Sequence, residues 1–291
     1  MARRRIEREA RAKLNLDLLV TGRRPDGYHE LDSLVVFAGA CDLLHVEVAD
    51  GLSLAVDGPF AGAVPAGDGN LVLAAARELA WAAHVEPRAA LSLTKRLPVA
   101  AGLGGGSADA AAALLALDRL WGTSLGADRL RELALTIGAD VPVCVWGRPA
   151  RMRGIGERLD PVRGLPELPL LLANPGVAVA TGPVFKALQL QEDAEPRQPL
   201  PAHPSVLRLA AWLMESRNDL EPPASALVPE VGAALELLRG LPDCLLARMS
   251  GSGGTCWALF ADDLRLARAE AALAEARPNW WRWAGIVETS G

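Results

Sequence analysis

The sequence predicts an α+β fold in two domains, on three observations. Strand-like and helix-like periodicities are mixed along the chain without the strict alternation of a parallel βαβ sheet. Two separate glycine-rich loops, at 102–106 and 251–254, interrupt that pattern. Pro161, Gly164 and Pro166 cluster near the middle of a 291-residue chain, a length that favours two domains. The expected division is 1–160 and 161–291.

Leu14 to Val20 alternates loosely and stops at TGRRPDGYH (21–29), which reads as a strand running into a turn-rich loop. SLVVF (33–37) and LLHVEV (43–48) read as strands around GACD, and LSLAV (52–56) as a third, giving a small antiparallel sheet. After a loop at 57–69, Asn70 is placed to cap a helix over LVLAAARELAWAA, although a nucleotide contact is the other use for it. ALSLT (90–94) is a further strand. The next helix presents Ala110, Leu114, Leu117 and Trp121 on one apolar face, and another runs from Asp128 to Ile137 and ends at Gly138. VPVCVW (141–146) and ARMRGIGERLDPV (150–162) read as extended. Beyond residue 160, PLLLANPG (169–176) is a buried strand, and 192–204 is a proline-rich surface excursion. Helices are expected over 206–216 and 230–238; 248–260 alternates around the second glycine loop, and Asp262 opens a final helix.

Composition narrows the function. Hydrophobic residues make up 51% and charged residues 22%, the balance of a globular protein. A net charge of -5 offers no basic surplus for a nucleic acid backbone. Cys41, Cys144, Cys244 and Cys256 are widely spaced, which argues against a zinc site or a disulfide framework and for reduced thiols. No stretch approaches the roughly 18 apolar residues of a membrane span. The basic N-terminus lacks the apolar run of a signal peptide, and Glu7 and Glu9 do not suit a transit peptide, so the cytoplasm is expected.

The most informative segment is Pro98, Val99, Ala100, Ala101, Gly102, Leu103, Gly104, Gly105, Gly106, Ser107 and Ala108, a glycine loop entering a helix. Free amides and the positive end of the helix dipole suit phosphate there, and the missing Cβ atoms let the amides converge. The same glycines would also make a tight turn with Ser107 as a plain N-cap. A Walker loop is excluded, because Lys13, Lys95 and Lys186 are the only lysines and none follows a glycine. A dinucleotide fingerprint would need glycine where Ser107 stands, and protein-kinase signatures are absent.

The 98–107 segment resembles the P-x-x-x-G-L-G-S/G-S/G-S motif of the GHMP small-molecule kinases. AKLNL, RRPDGYHELDSL, IGADVPVCVWG, NPGVAVATGPVFKAL, NDLE and SGSGGT extend the likeness in order over about residues 10–260. They point to the branch that acts on a diphosphocytidyl alcohol. The resemblance implies a ribosomal protein S5 domain 2-like N-terminal domain that binds ATP, a ferredoxin-like C-terminal domain, and an active site in the cleft between them. It implies ATP- and Mg²⁺-dependent phosphorylation of the 2-hydroxyl of 4-diphosphocytidyl-2-C-methyl-D-erythritol, for isoprenoid precursors made without mevalonate. A mevalonate- or homoserine-type kinase and a non-catalytic nucleotide-binding regulator are the alternatives. No nucleic acid or membrane partner is implied; a monomer or weak homodimer is expected.

Residue by residue, the resemblance makes Asp140 the catalytic base and Lys13 its cationic partner. By composition, a lysine is an uncommon choice in a chain with three lysines among 30 basic residues. The likeness assigns Tyr28 and Phe185 to stacking on cytosine, His29 to its polar edge, and Asn15 and Thr181 to polar substrate contacts. Gly251, Ser252, Gly253 and Gly254 would close over the phosphates, or form only a flexible hairpin. Without the likeness, Asp140 fits a capping residue before Pro142 and Phe185 a core residue; Asn218-Asp219 fits a site pair or an N-cap. Mg²⁺ would rest mainly on phosphate and water oxygens. Two departures stand out: Arg11 replaces a proline usual before the Ala-Lys pair, and Ala108 replaces a serine.

Overall fold

The structure, a computed structural model, describes residues 5–189 and 198–289. It begins with strands β1 (Arg5–Asn15), β2 (Leu19–Arg23), β3 (His29–Glu47) and β4 (Leu52–Asp57). Helix α1 (Leu71–Ala83), strand β5 (Ala89–Thr94) and helices α2 (Gly105–Trp121), α3 (Gly126–Ile137) and α4 (Val141–Trp146) follow. Next come β6 (Ala150–Gly154), β7 (Arg158–Pro161), β8 (Leu168–Asn174), α5 (Thr181–Ala187), α6 (Val206–Met214), α7 (Glu221–Leu227) and α8 (Pro229–Arg239). The chain ends with β9 (Leu246–Met249), β10 (Cys256–Leu259), α9 (Asp263–Ala276) and β11 (Trp281–Val287).

These elements group into two units. The first takes the chain up to Ala12, Ala40–Val99 and Gly104–Gly147; the second takes Lys13–Gly39, Ala100–Leu103 and the chain from Arg148 onward. In the first unit, β4 pairs in parallel with β5, and β5 pairs antiparallel with residues 43–47 of β3. Strand β5 buries Ala89, Leu91 and Leu93 and exposes Ser92, the alternation of a half-covered strand. Helix α1 buries Val72, Ala75, Ala76 and Leu79 on one stripe, and the Asn70 side chain caps it by accepting from Val72 N at 2.9 Å. The run Ala110–Ala113 in α2 is wholly buried, because small side chains let α1 and α4 approach closely.

In the second unit, β11, β8, β10 and β9 form a four-stranded antiparallel sheet in that order. Every residue of β8 is buried, the apolar run 168–173 and the polar Asn174 that ends it. Helices α8 and α9 pack on this sheet and close a core that includes Leu171, Leu235, Leu238, Phe260, Leu266 and Leu273. Residues 31–35 of β3 pair with β6, which pairs with β7. Sheets and helices are mixed as an α+β class demands.

Several sequence expectations are corrected. Residues 141–146 are helical rather than extended: Pro142 sits in the first turn, where its missing N–H is no loss, and Gly147 ends the helix in a left-handed conformation. The valines suggested a strand, but burial of Val141, Val143 and Cys144 overrides that propensity. The two strands around GACD are one strand, β3, with no turn between them. Asp42 in that stretch is fully buried and accepts the amides of Arg96 and Leu97. The strand expected over 14–20 is the end of β1, which starts at Arg5, followed by a break and β2. Parallel pairing of β4 with β5 means the sheet is not wholly antiparallel. Trp121 leaves the buried face of α2 half-exposed and donates its indole N–H to Arg88 O at 3.2 Å. Helices α5 and α7 and strand β11 had no counterpart in the sequence reading. Both helices carry prolines near their start, which local pattern reads as loop. Of the 192–204 excursion, 192–197 lie outside the described residues, and 198–204 carry no helix or strand.

Candidate active site

The first glycine loop enters α2 through Gly104, whose φ of 61° is left-handed and which makes no side-chain cap. Ser107 lies inside the first turn, so the alternative of Ser107 as N-cap is set aside. No side-chain cap covers the leading amides of α2, which is the condition for an anion to bind there. Gly105 is favoured by packing, since a Cβ would lie 3.2 Å from Lys95 Nζ, a tight contact. Gly106 is not. Its φ is not among the positive ones, it is exposed, and a Cβ would meet only Leu71 Cδ1 at 3.5 Å, an ordinary contact. Gly106 therefore leaves the surface of the first turn of α2 bare, with room for another group to approach. Ala108 is buried, as is Pro98; Val99 is half-buried.

Residues 100–103 of the loop belong to the second unit. Ala100 is exposed with a left-handed φ of 52°, Ala101 and Leu103 are buried, and Gly102 meets the second glycine loop. A Cβ on Gly102 would fall 2.2 Å from Ser250 O. Ser250 Oγ donates to Gly102 O at 2.9 Å and accepts from Asn15 N at 3.2 Å, while Thr255 N donates to Ala101 O at 2.9 Å. Lys13 is buried in β1, and its amide donates to Leu103 O at 2.9 Å.

All five residues assigned to the substrate fall in the second unit. His29 and Phe185 stack with ring centroids 4.8 Å apart and an interplanar angle of 28°. Burial, then the charge of Arg23, lowers the His29 pKa and favours neutral imidazole. Tyr28 is 57% exposed at the tip of a turn in which Asp26 Oδ1 accepts the Tyr28 amide at 3.1 Å. Thr181 opens α5 and shares a 2.8 Å hydrogen bond with Ser252. Asn15 is fully buried and donates Nδ2 to Ser33 Oγ at 2.7 Å; its Oδ1 has no partner among the described residues. A buried acceptor left over in this way is a place for a ligand donor.

Asp140 precedes α4 in the first unit, and its side chain makes no capping hydrogen bond, so the bland alternative of a capping residue finds no support. Arg11, the residue found in place of proline, donates to Gly147 O at 2.7 Å and so holds the far end of the same short helix.

Sequence reasoning left other residues without roles. Asn218 donates Nδ2 to Met249 O and Gly251 O, each at 2.9 Å, and accepts from Leu220 N at 3.0 Å, so it fixes the second glycine loop rather than merely capping a helix. Asp219 accepts the Val20 amide at 2.7 Å. Lys95, Asp42 and Asp109 form a buried charge cluster next to Gly105. Its one sequence signal was a rare lysine directly ahead of the glycine loop. Among the described residues no group of three His, Cys, Asp or Glu side chains converges as a metal site.

Two family models match the chain: GHMP kinases N terminal domain over residues 70–148, and GHMP kinases C terminal over residues 200–279. The 4-diphosphocytidyl-2-C-methyl-D-erythritol kinase of Cereibacter sphaeroides is 54% identical over 273 residues, which cover 94% of this chain and 95% of that protein. A crystal structure of 4-(cytidine 5'-diphospho)-2C-methyl-D-erythritol kinase superposes with a TM-score of 0.74 at 38% identity, over 97% of this chain and 99% of the other. Homoserine kinase from Cytophaga hutchinsonii reaches a TM-score of 0.69 at 19% identity over 99% and 96% of the two chains, a likeness of fold alone.

Proposed function

This chain belongs to the 4-diphosphocytidyl-2-C-methyl-D-erythritol kinase family within the GHMP kinases, and on that premise we propose how its residues carry out the reaction. It is a phosphotransferase with an alcohol acceptor, and ATP is the co-substrate. The 2-hydroxyl of 4-diphosphocytidyl-2-C-methyl-D-erythritol attacks the γ-phosphorus, the bond to the β-phosphate oxygen breaks, and the 2-phosphate and ADP leave. This step serves isoprenoid precursor synthesis.

Asp140 takes the hydroxyl proton as the new P–O bond forms. Lys13 offsets the charge on the transferring phosphoryl group. The 98–108 segment receives the polyphosphate, and the uncapped first turn of α2 with bare Gly106 supports that role. Cytosine lies between Tyr28 and Phe185, with neutral His29 at its polar edge; Asn15 and Thr181 contact the rest of the substrate. The observation that carries the cytidine reading is the gathering of exposed Tyr28, His29 and Phe185 in one unit; the His29 ring now stacks on Phe185 and would turn off that face for the base to enter. Mg²⁺ would rest mainly on phosphate and water oxygens and would neutralise phosphate charge when bound.

We keep 160/161 as the proposed boundary between the stretches matched by the two family models, 70–148 and 200–279, although the two compact units draw on segments from both sides of it. No helix among the described residues is long and apolar enough to cross a membrane. We propose that the enzyme acts in the cytoplasm as a monomer or weak homodimer; its net charge of -5 offers no basic surplus for nucleic acid.

ADP release from MgATP and 4-diphosphocytidyl-2-C-methyl-D-erythritol, measured for the wild type and Asp140→Asn, tests the reading. The wild type turns over, and the variant loses about 10²–10⁴-fold in kcat while its ATP affinity holds. An inert wild type overturns the substrate, and an active variant overturns the base.

A further inference from the structure

Beneath the first turn of α2 lies a set of charges that the reaction does not use. Lys95 leaves β5 with its side chain 3% exposed; its ammonium meets Asp42 of β3 and, at 2.7 Å, Asp109 of α2. The backbone of Lys95 is held as firmly, its amide donating to Asp57 O at 2.8 Å and its carbonyl accepting from Phe60 N at 3.2 Å. Asp42 Oδ1 accepts the amides of Arg96 at 2.6 Å and Leu97 at 2.8 Å, which aims the entrance of the glycine loop. Gly105, the first residue of α2, sits so close above that a Cβ would lie 3.2 Å from Lys95 Nζ and 3.8 Å from both Asp42 Oδ2 and Leu97 Cβ. Asp109 Oδ1 is buried and has no hydrogen-bond partner within geometric limits among the described residues.

Such an arrangement is expensive for mere cohesion. Two carboxylates on one buried ammonium leave either a net negative charge or a carboxyl proton, and an apolar trio would serve a core as well. Its geometry does something an apolar trio cannot. The Lys95–Asp109 bond ties the two ends of the segment from 95 to 109, so the loop entrance and the first turns of α2 move as one piece.

We propose that Asp109 is a positioning residue for ATP: through Lys95 it locks the amides of Gly105, Gly106 and Ser107 in the orientation that receives the polyphosphate. The proposal rests on the nucleotide role given above to that helix start. Burial first, and then Asp42, pushes the Asp109 carboxyl up to about 7 against the opposing pull of Lys95. Either protonation state still offers an oxygen to Lys95. An amide therefore replaces Asp109 in this role, and a methyl group does not.

Calorimetric titration of the full chain with MgATP tests this. Asp109→Ala weakens ATP binding about tenfold or more, since amides displaced by a fraction of an ångström lose most of their grip on phosphate, while Asp109→Asn stays within about threefold. Melting curves accompany both, so that affinity is compared well below each midpoint. If Asp109→Ala does not fold, Asp109→Ser, whose hydroxyl is too short to reach Lys95, carries the same comparison. Wild-type affinity in a folded Ala or Ser variant overturns the proposal, as does equal weakening by Asn and Ala. Because the titration needs no acceptor alcohol, a failure of the substrate assignment in the turnover assay is read separately.

Discussion

The second glycine loop is glycine-rich because other atoms already fill the space, and the first is so only in part. A Cβ on Gly251 would lie 3.0 Å from Gly102 O, one on Gly253 2.8 Å from Met249 Sδ, and one on Gly254 2.9 Å from Ala101 Cα, and all three glycines have positive φ. Gly102 and Gly105 in the first loop follow the same rule. Gly106 breaks it, with room for a methyl group and an ordinary helical backbone. One motif thus mixes glycines that build the loop with a glycine that keeps a surface clear. Only the second kind leaves room for a ligand.

The sharpest way to break this comparison is Gly102→Ala. With φ at 73° and a Cβ placed 2.2 Å from backbone oxygen, nothing flexible can yield, and we expect a loss of about 3 kcal/mol or more in urea unfolding. An unchanged midpoint would mean that the two loops are not packed as described.

Gly106→Ala should do the opposite. Stability holds or rises by up to about 1 kcal/mol, because alanine is the better helix former, while ATP affinity falls about tenfold or more. Normal ATP affinity in that variant would return Gly106 to the structural class.

The smallest effect concerns His29, which reaches the second loop through Phe185, α5 and the Thr181–Ser252 bond. Its folded pKa is below the ordinary 6.5, first from burial and then from Arg23. As pH falls below about 6.5 the unfolded chain takes up the proton more readily, so this residue's share of stability declines toward acid and is constant above neutrality. Unfolding midpoints at about pH 7.5 and pH 5 should therefore differ less in His29→Gln than in the wild type. An equal difference would show that the ring is not desolvated by its stack.

Legibility in the sequence followed the range of the forces involved. Helix α1 was readable from Asn70 and an apolar stripe at helical spacing, because both the cap and the period act within a few residues. The glycine loop before α2 was readable for the same reason. Helix α4 was not: VPVCVW has the local character of a strand, and its burial in the first unit decides otherwise. Asn218 was left between a cap and a site residue, since its partners at Met249 and Gly251 are some thirty positions away. Lys95 was noted only for lacking a preceding glycine, because its meaning depends on Asp42 and Asp109.

The sequence by itself determined the α+β class, the two glycine loops and the family resemblance. Each is a matter of composition, short period or contiguous motif. Tertiary structure alone decided which glycines are filled around and which are left bare, and that Lys95, Asp42 and Asp109 form a buried charge cluster beside the start of α2. Those properties arise between residues remote in sequence, where distance, burial and the lack of an alternative partner set the energy, and no local pattern records them.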